Sequence, residues 1–546
     1  MVDFDYDSTY PSRRSPVMGC RGAVATSHPL AAQAGMNMLA AGGNAMDATL
    51  AMAAALVVLE PTSCGLGGDA FAIIWDEGKM HGLNASGKAP MSLSAERLRA
   101  SGMTEMPREG WASVTTPGAV SAWSALYDRF GSMPFGDIMA PAIYYAREGA
   151  PVPPVIAGYW RNAERRYGGR GGVYAEFERV FLSGGRAPRS GEIFRNPDLA
   201  ETLQSIAASY GRSFYQGSLA RAIAEHSEAS GGYLSMDDLL QHSPEWVEPV
   251  STNYRGLDIW EIPPNGQGIV ALMALNIMEG YDLEGTDLLS PDVLHVVIES
   301  LRLAFVDAHA YIGDPLHVDV PTRELLSKEY GARRRRLIQS DRALAHPVPG
   351  KPGGGGQWES SHGDTVYLCA ADSGGMMVSY IQSNYMGFGS GIVIPGTGIS
   401  MQNRGAGFSL HPGHPNELAP GKRPFHTIIP SFATRNGVPI AAFGVMGGDM
   451  QPQGHVQVVS GIIDGKLDPQ AAIDRPRVRV MADGGVAAEP GISDEALDAL
   501  HRMGHVVRLE KNPAGFGGGQ MIWRDPGTGV LIAGSEPRKD GCAIAL

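Results

Sequence analysis

Residues 362–371 are His-Gly-Asp-Thr-Val-Tyr-Leu-Cys-Ala-Ala, and the run from Thr365 to Ala371 predicts a strand. A Pro- and Gly-rich stretch just before it indicates a flexible linker over residues 347–361. A mobile linker, an Asp-Thr pair and a strand together suit a self-cleaving precursor. The Thr365 hydroxyl would attack the carbonyl of Asp364, and cleavage would leave Thr365 as a new N-terminus whose α-amine serves as a base. The alternative is a glycine-rich loop entering a strand, with Thr365 as an ordinary β-branched residue.

The turn after this strand sets a register for the predicted hairpin. Residues 373–375, Ser-Gly-Gly, suit a three-residue turn, which places Asp372 opposite Met376. Counting back along both strands pairs Thr365 with Ser383, and directly opposed Cβ atoms lie about 4.5–5.5 Å apart. Ser383 is therefore predicted to hydrogen-bond and orient the Thr365 hydroxyl. The alternative is a Thr–Ser pair that only stabilises the sheet.

A double glycine after a later strand offers donors for an oxyanion. Residues 445–449 are Val-Met-Gly-Gly-Asp. A nucleophile that attacks an acyl carbon needs such donors, and the backbone N–H groups of Gly447 and Gly448 can turn toward one point. The alternative is a simple turn, because glycine takes positive φ freely.

Length and charge narrow the class of protein. At 546 residues the chain needs several domains or one large layered core. Its composition is globular, with 43% hydrophobic and 18% charged residues. A net charge of -13 disfavours a nucleic-acid partner. The one basic run, Arg333 to Arg336, is short and is predicted to be a solvated helix end.

No metal or organic cofactor is predicted. The four cysteines are scattered without a Cys-x-x-Cys pair, so they indicate neither a zinc site nor a disulfide framework. His411 and His414 lie in a predicted loop without acidic or thiol partners nearby, which argues against a metal site. Residues 65–68, Gly-Leu-Gly-Gly, lack the Lys-Ser/Thr that completes a phosphate-binding loop.

Membrane insertion is not predicted either. The first residues lack the basic start and apolar core of a signal peptide. The most apolar stretch, Ala48 to Leu59, is too short for a bilayer, which takes about 20 residues. We therefore expect a soluble cytoplasmic protein without a membrane partner.

Helical patterns dominate the first part of the chain and strands the second. Helices are predicted over 29–41, from the cap Asn44 to about Val58, over 197–208 and over 291–309, with a core strand at 70–75. After Thr365, strands are predicted at 365–371, 376–383, 438–446, 475–481, 519–523 and 530–533, and helices at 454–463 and 493–503. This order predicts an α+β fold whose layers are shared across the cut.

Seven short motifs occur in a fixed order along nearly the whole chain. They are residues 41–47, 65–68, 263–268 (Pro-Pro-Asn-Gly-Gln-Gly), 364–365, 388–392 (Phe-Gly-Ser-Gly-Ile), 421–424 (Gly-Lys-Arg-Pro) and 447–448. In these motifs the sequence resembles the γ-glutamyltranspeptidase family of N-terminal-nucleophile hydrolases.

The resemblance implies a four-layer αββα sandwich and autocatalytic cleavage before Thr365. A large subunit, residues 1–364, and a small subunit, residues 365–546, would associate after cleavage and could form a higher oligomer. The resemblance also implies Thr365 as nucleophile, Ser383 as its hydroxyl partner, and Gly447 and Gly448 as the oxyanion hole.

The sequence departs from the family where the donor is bound. The family holds the donor α-amino group with an acid in a Met-Asp-Asp-Phe stretch, and here residues 405–408 are Gly-Ala-Gly-Phe. An Arg for the α-carboxylate is expected near residues 85–90, where Ser86-Gly-Lys-Ala-Pro90 stands, and a pair of serines is replaced by His426-Thr427. Without an anion an ammonium loses charge-assisted hydrogen bonds of about 1.5–3 kcal/mol each. A γ-glutamyl head should therefore bind poorly.

The polar residues that remain predict a different acyl group. Arg404 would clamp a carboxylate bidentately. The other predicted substrate-binding residues are Asn403, Asn384, His426, Thr427 and Lys88. These residues favour a small amide whose acyl group ends in a carboxylate and lacks an α-amine, such as a glutaryl or oxamate type. Alternatively, Arg404 pairs with a structural acid.

Two other functions stay open at this point. One is a true γ-glutamyl hydrolase or transpeptidase that acts on glutathione. The other is an uncleaved, non-catalytic binding protein.

Overall fold

Two seven-stranded antiparallel sheets form the centre of the computed structural model, which describes residues 14–350 and 363–546. The first sheet contains, in spatial order, Val17–Gly19, Leu531–Ser535, Gly518–Arg524, Val438–Met446, Ser431–Arg435, Leu257–Glu261 and Val250–Tyr254. The second contains Cys542–Ala545, Gly22–Thr26, Asp364–Asp372, Met377–Tyr385, Asp69–Asp76, Lys79–Asn84 and Glu245–Val247.

The sequence of strand Asp364–Asp372 shows why the sheets stack. Tyr367 and Cys369 pack into the apolar core between the two sheets. Val366 and Leu368 point the other way, into the core beneath the first group of helices. Since side chains alternate between the faces of a strand, an apolar residue at every position predicts a strand covered on both sides.

Helices cover the outer face of each sheet. Pro29–Ala40, Ala45–Leu59, Ala119–Phe130, Phe135–Glu148 and Pro197–Ser209 belong to the core over the second sheet. Gly268–Met278, Pro291–Tyr311, Met450–Ile463, Pro469–Asp474 and Asp494–Arg502 cover the first sheet. The predicted α+β fold and its αββα layers are confirmed.

Smaller elements complete the described chain. The other α-helices are Ala95–Ala100, Pro154–Tyr167, Ala175–Phe181, Arg212–Gln216, Ser218–Ala229, Met236–Leu240, Thr322–Leu325 and Lys328–Arg335. Short 3-10 helices are Trp111–Ser113, Gly172–Tyr174, Ser183–Gly185, Arg404–Gly407 and Pro513–Phe516. Small sheets pair Ala150–Pro151 with Ile193–Phe194, Val393–Ile394 with Ile399–Ser400, and Val478–Val480 with Val486–Ala488 and Val507–Leu509.

Some local expectations need correction. Arg334 is buried, and its Nε lies 3.0 Å from Asp307 Oδ2, so the basic run is not simply a solvated helix end. The start of the predicted linker is also held, because Arg334 Nη2 donates to Val348 O at 2.8 Å and Gly350 N–H donates to Asp307 Oδ1 at 2.7 Å. The rest of that linker and the N-terminal residues inspected for a signal peptide lie outside the described residues.

Across residues 14–350 and 363–546, no helix has both the length and the hydrophobicity required to cross a membrane.

Candidate active site

The hairpin adopts the predicted register from Val366 onward, and the predicted Thr365–Ser383 pair falls at the point where the ladder shifts. Its partners run from Val366 opposite Gln382 to Ala371 opposite Met377, with an irregularity just before Val366. That register brings the two hydroxyls together, and Thr365 Oγ1 donates to Ser383 Oγ at 3.2 Å.

Ser383 links the hydroxyl of Thr365 to the peptide bond before it. Its Oγ donates to the carbonyl oxygen of Asp364 at 2.8 Å and accepts from the backbone N–H of Tyr385 at 2.7 Å. Thr365 and Ser383 are buried, with 1% and 0% of their surface exposed. One serine therefore holds the candidate nucleophile and polarises the carbonyl that it would attack.

The backbone at this end of the strand is strained. Tyr385 has φ 78°, which is rare for a residue with a side chain. Burial raises the pKa of the Asp364 carboxyl, while the Lys539 charge lowers it. Strained backbone and buried charge cluster at functional sites, and here both lie within a few residues of Thr365.

Gly447 and Gly448 form the turn between strand Val438–Met446 and helix Met450–Ile463. Their φ values are 124° and 59°, a conformation that favours glycine. Gln267 Nε2 donates to the carbonyl oxygen of Gly448 at 2.9 Å and so fixes that peptide. Neither glycine's N–H donates to another residue in the described part of the chain. Both N–H groups thus remain candidates for binding an oxyanion.

Asp69 is a residue that the sequence analysis missed, and it organises the polar side of the site. It starts the strand beside the hairpin and lies opposite Ser383. Its carboxylate accepts from His426 Nε2 at 2.8 Å and from Gln402 Nε2 at 2.9 Å, and its Oδ2 lies 3.6 Å from Arg404 Nε. The sequence did contain a clue to Asp69, because this residue directly follows the motif at residues 65–68.

Arg404 is fully buried beside the hairpin. Its Nη1 donates to Thr427 Oγ1 at 2.8 Å, and its guanidinium carbon lies 4.1 Å from the centre of the Tyr385 ring. Its Nη2 has no hydrogen-bond partner. Burial lowers the pKa of Arg404 to about 10, although Asp69 and Tyr385 raise it, so the group is charged at neutral pH. The sequence analysis left open that Arg404 pairs with an acid of the protein itself, and its contact with Asp69 shows that it does so in part.

His426, which was predicted to bind substrate, is a neutral hydrogen-bonding group beside Arg404. Burial, and next the Arg404 charge, lower its pKa to about 4, although Asp69 raises it. The geometry agrees, because Nε2 faces Asp69 while Nδ1 accepts from Ile428 N–H at 3.4 Å.

Of the other predicted substrate-binding residues, Asn403 and Asn384 are tied to the hairpin, whereas Lys88 is not. Asn403 N–H donates to Asn384 O at 3.2 Å, which ties both residues to the hairpin, and Asn384 Oδ1 is buried without a partner. Lys88 is half-buried, and its carbonyl accepts from Thr116 N–H. Within the described ranges the Lys88 ammonium forms no hydrogen bond or ion pair, so no contact of this kind fixes it at the site.

Two adjoining cavities flank the hairpin, and Arg108 and Met386 border both of them. The first has a volume of about 330 Å³, and among its lining residues are Tyr385, Ala406, Phe408, Phe425, Thr427 and Asp449. The second has a volume of about 960 Å³ and contains the junction residues Gly363 and Asp364 together with Gly447. Residues 406–408 therefore do lie at a cavity, and they bring no carboxylate to it.

One cluster of possible metal ligands occurs away from this site, in the described part of the molecule: His295, Glu299 and His505. His295 Nδ1 lies 2.8 Å from His505 Nε2, and Glu299 Oε1 accepts from Arg302 Nη1 at 2.7 Å. These groups satisfy one another, so the cluster gives no reason to assign an ion.

The fold and the hairpin agree with comparisons to known proteins. The sequence matches the model of the Gamma-glutamyltranspeptidase family over residues 31–546. The chain belongs to this family. It is therefore an N-terminal-nucleophile amidohydrolase, which sets aside the non-catalytic alternative.

Relatives in the family carry several activities in their names. The chain is 34% identical over 538 residues to the glutathione hydrolase-like YwrD proenzyme of Bacillus subtilis, covering 97% of this chain and 99% of that protein. It is 35% identical over 535 residues to the oxamate amidohydrolase proenzyme of Klebsiella pneumoniae, covering 96% and 98%. The crystal structure of cephalosporin acylase from Bacillus halodurans matches with a TM-score of 0.95 and 52% identity, covering 100% of this chain and 99% of that one.

Proposed function

We propose that this γ-glutamyltranspeptidase family member cleaves itself before Thr365 and then uses Thr365 to hydrolyse a small amide. The acyl group of that amide ends in a carboxylate and lacks an α-amine. One observation carries the proposal: Ser383 Oγ contacts both the Thr365 hydroxyl and the Asp364 carbonyl oxygen. The proenzyme names of the two curated relatives support the cleavage.

Maturation is an acyl shift followed by hydrolysis. Thr365 Oγ1 attacks the Asp364 carbonyl carbon, the peptide C–N bond breaks, and an ester forms while the nitrogen becomes the α-amine of Thr365. Water then hydrolyses the ester and returns the hydroxyl. The products are residues 1–364, with a new carboxylate, and residues 365–546.

Turnover repeats the same chemistry on an external amide. The Thr365 α-amine accepts the hydroxyl proton as Oγ1 attacks the acyl carbon, and the N–H groups of Gly447 and Gly448 stabilise the oxyanion. The proton passes to the leaving amine, and water hydrolyses the acyl-enzyme. An amino compound in place of water would give transfer, so the same intermediate allows both outcomes.

Arg404 supports the choice of acyl group. Its unpartnered Nη2 is buried near the hairpin, and Thr427, which holds Nη1, lines the smaller cavity. A carboxylate would satisfy the guanidinium. Oxamate has a carboxylate and no α-amine, and one relative is named for hydrolysing it.

Mass spectrometry tests maturation. The intact protein should give two masses that correspond to cleavage between Asp364 and Thr365, while the Thr365→Ala variant should give one. A wild-type chain that stays whole under the same conditions would refute self-processing.

Substrate comparison tests the acyl group. Mature enzyme should hydrolyse glutaryl 4-nitroanilide with a higher kcat/KM than γ-glutamyl 4-nitroanilide, by about tenfold or more if one charge-assisted hydrogen bond decides. The reverse preference would support the second candidate, a γ-glutamyl hydrolase acting on glutathione. The relative named as a glutathione hydrolase-like proenzyme is the observation that favours this candidate.

A further inference from the structure

The larger cavity meets the reactive groups on the side away from Thr427. Gly447 of the candidate oxyanion hole and Asp364 of the junction line it, whereas Thr427 lines only the smaller cavity. If the acyl group lies toward Thr427 and Arg404, the other half of the amide must extend into the larger cavity. This assignment of the two cavities rests on the function proposed above.

Arg479 is an unpaired cation in the wall of the larger cavity. It lies on strand Val478–Val480 with 4% of its surface exposed, and its Nη1 donates to Gly515 O at 3.1 Å. Its Nε is buried without a hydrogen-bond partner, and the residue forms no ion pair with the described chain. A buried guanidinium without an acid is costly, and a bound anion would offset that cost.

A neighbouring arginine shows a guanidinium that has an acid partner in this fold, although its Nε, like that of Arg479, has no hydrogen-bond partner. Arg477 is equally buried, but its Nη2 lies 2.9 Å from Glu536 and its Nη1 donates to Phe516 O at 2.7 Å. Glu536 lies within ion-pair distance of Arg477, whereas no acid of the described residues lies within that distance of Arg479. Burial lowers the pKa of Arg479, and Asp449 raises it.

The other charges around the cavity leave room for an anion. Arg166 Nε is paired with Glu109 at 2.7 Å, so these two charges offset each other. Arg108 is an exposed cation at the border of both cavities, and Glu510 is an exposed acid whose carboxylate accepts from a backbone N–H. Inside the cavity, Arg479 is the cation that still lacks a partner among the described residues.

We propose that the larger cavity binds the amine half of the substrate and that Arg479 recognises a carboxylate on that amine. The substrate class is then an amide with an anionic group on each side of the scissile bond. One carboxylate belongs to the acyl part, near Arg404, and one to the leaving amine, at Arg479.

Matched anilides test this specificity in the mature enzyme. Glutaryl 3-carboxy-4-nitroanilide carries a carboxylate on the amine half, and glutaryl 4-nitroanilide does not. The wild type should favour the carboxylated substrate in kcat/KM by about tenfold to a hundredfold, the range expected for a charge-assisted hydrogen bond. Arg479→Met should remove this preference while leaving hydrolysis of the neutral anilide in place. Arg479→Lys should keep part of it.

The control is Arg166→Met, in the same cavity, because the Arg166 guanidinium is already paired with Glu109. It should leave the ratio of the two kcat/KM values unchanged. A general disturbance of folding would lower both values together and would not move the ratio. The proposal would be overturned if the wild type hydrolysed both anilides with equal kcat/KM. It would also be overturned if Arg479→Met kept the wild-type ratio of the two kcat/KM values.

Direct binding separates this inference from the proposed function. The amine product 5-amino-2-nitrobenzoate should bind the wild type in calorimetry and fail to bind Arg479→Met. Binding without hydrolysis of either anilide would support the cavity and contradict the proposed acyl specificity. Hydrolysis of both anilides without product binding and without a preference would support the proposed acyl specificity and contradict the proposed role of the larger cavity.

Discussion

At the scale of single residues, Ser383 does two jobs that threonine chemistry requires. It accepts the hydrogen bond of the Thr365 hydroxyl and donates to the Asp364 carbonyl oxygen. Ser383→Ala should therefore slow both maturation and turnover, by about a hundredfold or more, as loss of a positioned proton-handling group does. Time-resolved mass spectrometry measures the first rate, and anilide hydrolysis by the slowly matured enzyme measures the second.

Ser379 provides the matched control on the same strand. It is equally buried, and its hydroxyl bonds Tyr367 at 2.7 Å, away from the junction. Ser379→Ala should mature at the wild-type rate even though the lost hydrogen bond costs about 1 kcal/mol of stability. Equal maturation rates for Ser379→Ala and Ser383→Ala would show that Ser383 has only a packing role.

The lowered pKa of His426 predicts how the stability of the fold depends on pH. Its folded pKa of about 4 lies below its ordinary value of 6.5, so the unfolded chain binds more protons between these values. Its contribution to stability is therefore present above pH 6.5 and is lost as the pH falls toward 4. In the uncleaved Thr365→Ala background, His426→Gln should remove up to about 1.4 kcal/mol per pH unit from the slope of stability against pH.

The comparison for that slope is Gln33→Ala. Gln33 has no titratable group and is exposed in helix Pro29–Ala40, so its replacement should leave the pH slope of thermal unfolding as it is in the parent. An unchanged slope in His426→Gln would mean that His426 is protonated in the fold and paired with Asp69 as a cation.

At the scale of elements, local signals were sufficient for helix Ala45–Leu59. Asn44 was predicted as its cap, and the structure shows the Asn44 side chain accepting from Asp47 N–H at 3.0 Å while Asp47 Oδ2 accepts from Asn44 N–H at 2.9 Å. Asn44→Ala should lower stability by about 1 kcal/mol, which is typical for a lost N-cap. Thermal unfolding of the uncleaved chain measures the change.

An exposed position in the preceding helix provides the reference. Gln33 bonds Asn37 on the surface of helix Pro29–Ala40, so Gln33→Ala should change stability by less than about 0.5 kcal/mol. A loss for Asn44→Ala no larger than this would contradict the capping argument.

The sequence could predict features that depend on neighbouring residues, and it could not predict those that depend on pairing with distant parts of the chain. The turn at residues 373–375 fixed the hairpin register, because turn length and register are coupled within a few residues. The strands Val250–Tyr254 and Leu257–Glu261 lie in a region that was expected to be mainly helical. They are short and half polar, and their place at the edge of a sheet is decided by pairing with Ser431–Arg435 much later in the chain.

Distant pairing also explains why the sequence analysis missed Asp69. Asp69 meets Arg404 and His426 only because its strand lies beside the hairpin, a neighbourhood that no local motif predicts. Burial and the Arg404 charge keep His426 neutral, so it donates to Asp69 as a neutral imidazole. Lys88 was grouped with Arg404 from charge alone, without a contact to join them.

At the scale of the whole molecule, the two proposed pieces are interleaved within the sheets. In the second sheet the hairpin of strands Asp364–Asp372 and Met377–Tyr385 lies between Gly22–Thr26 and Asp69–Asp76, which belong to the large piece. In the first sheet, strands of the small piece lie between Val17–Gly19 and Leu257–Glu261 of the large piece. Separation would break backbone ladders on both sides and expose the core between the sheets.

The cut chain should therefore stay together. Native mass spectrometry of the mature protein should show a unit that contains both pieces, with a mass near the 57.9 kDa of the uncut chain plus the one water added by hydrolysis. The two pieces should separate only under denaturing conditions, and the Thr365→Ala chain, run in parallel, should give one mass under both. A free small piece under native conditions would contradict this argument, because that piece supplies the central hairpin of one sheet and cannot leave without exposing the apolar faces of both.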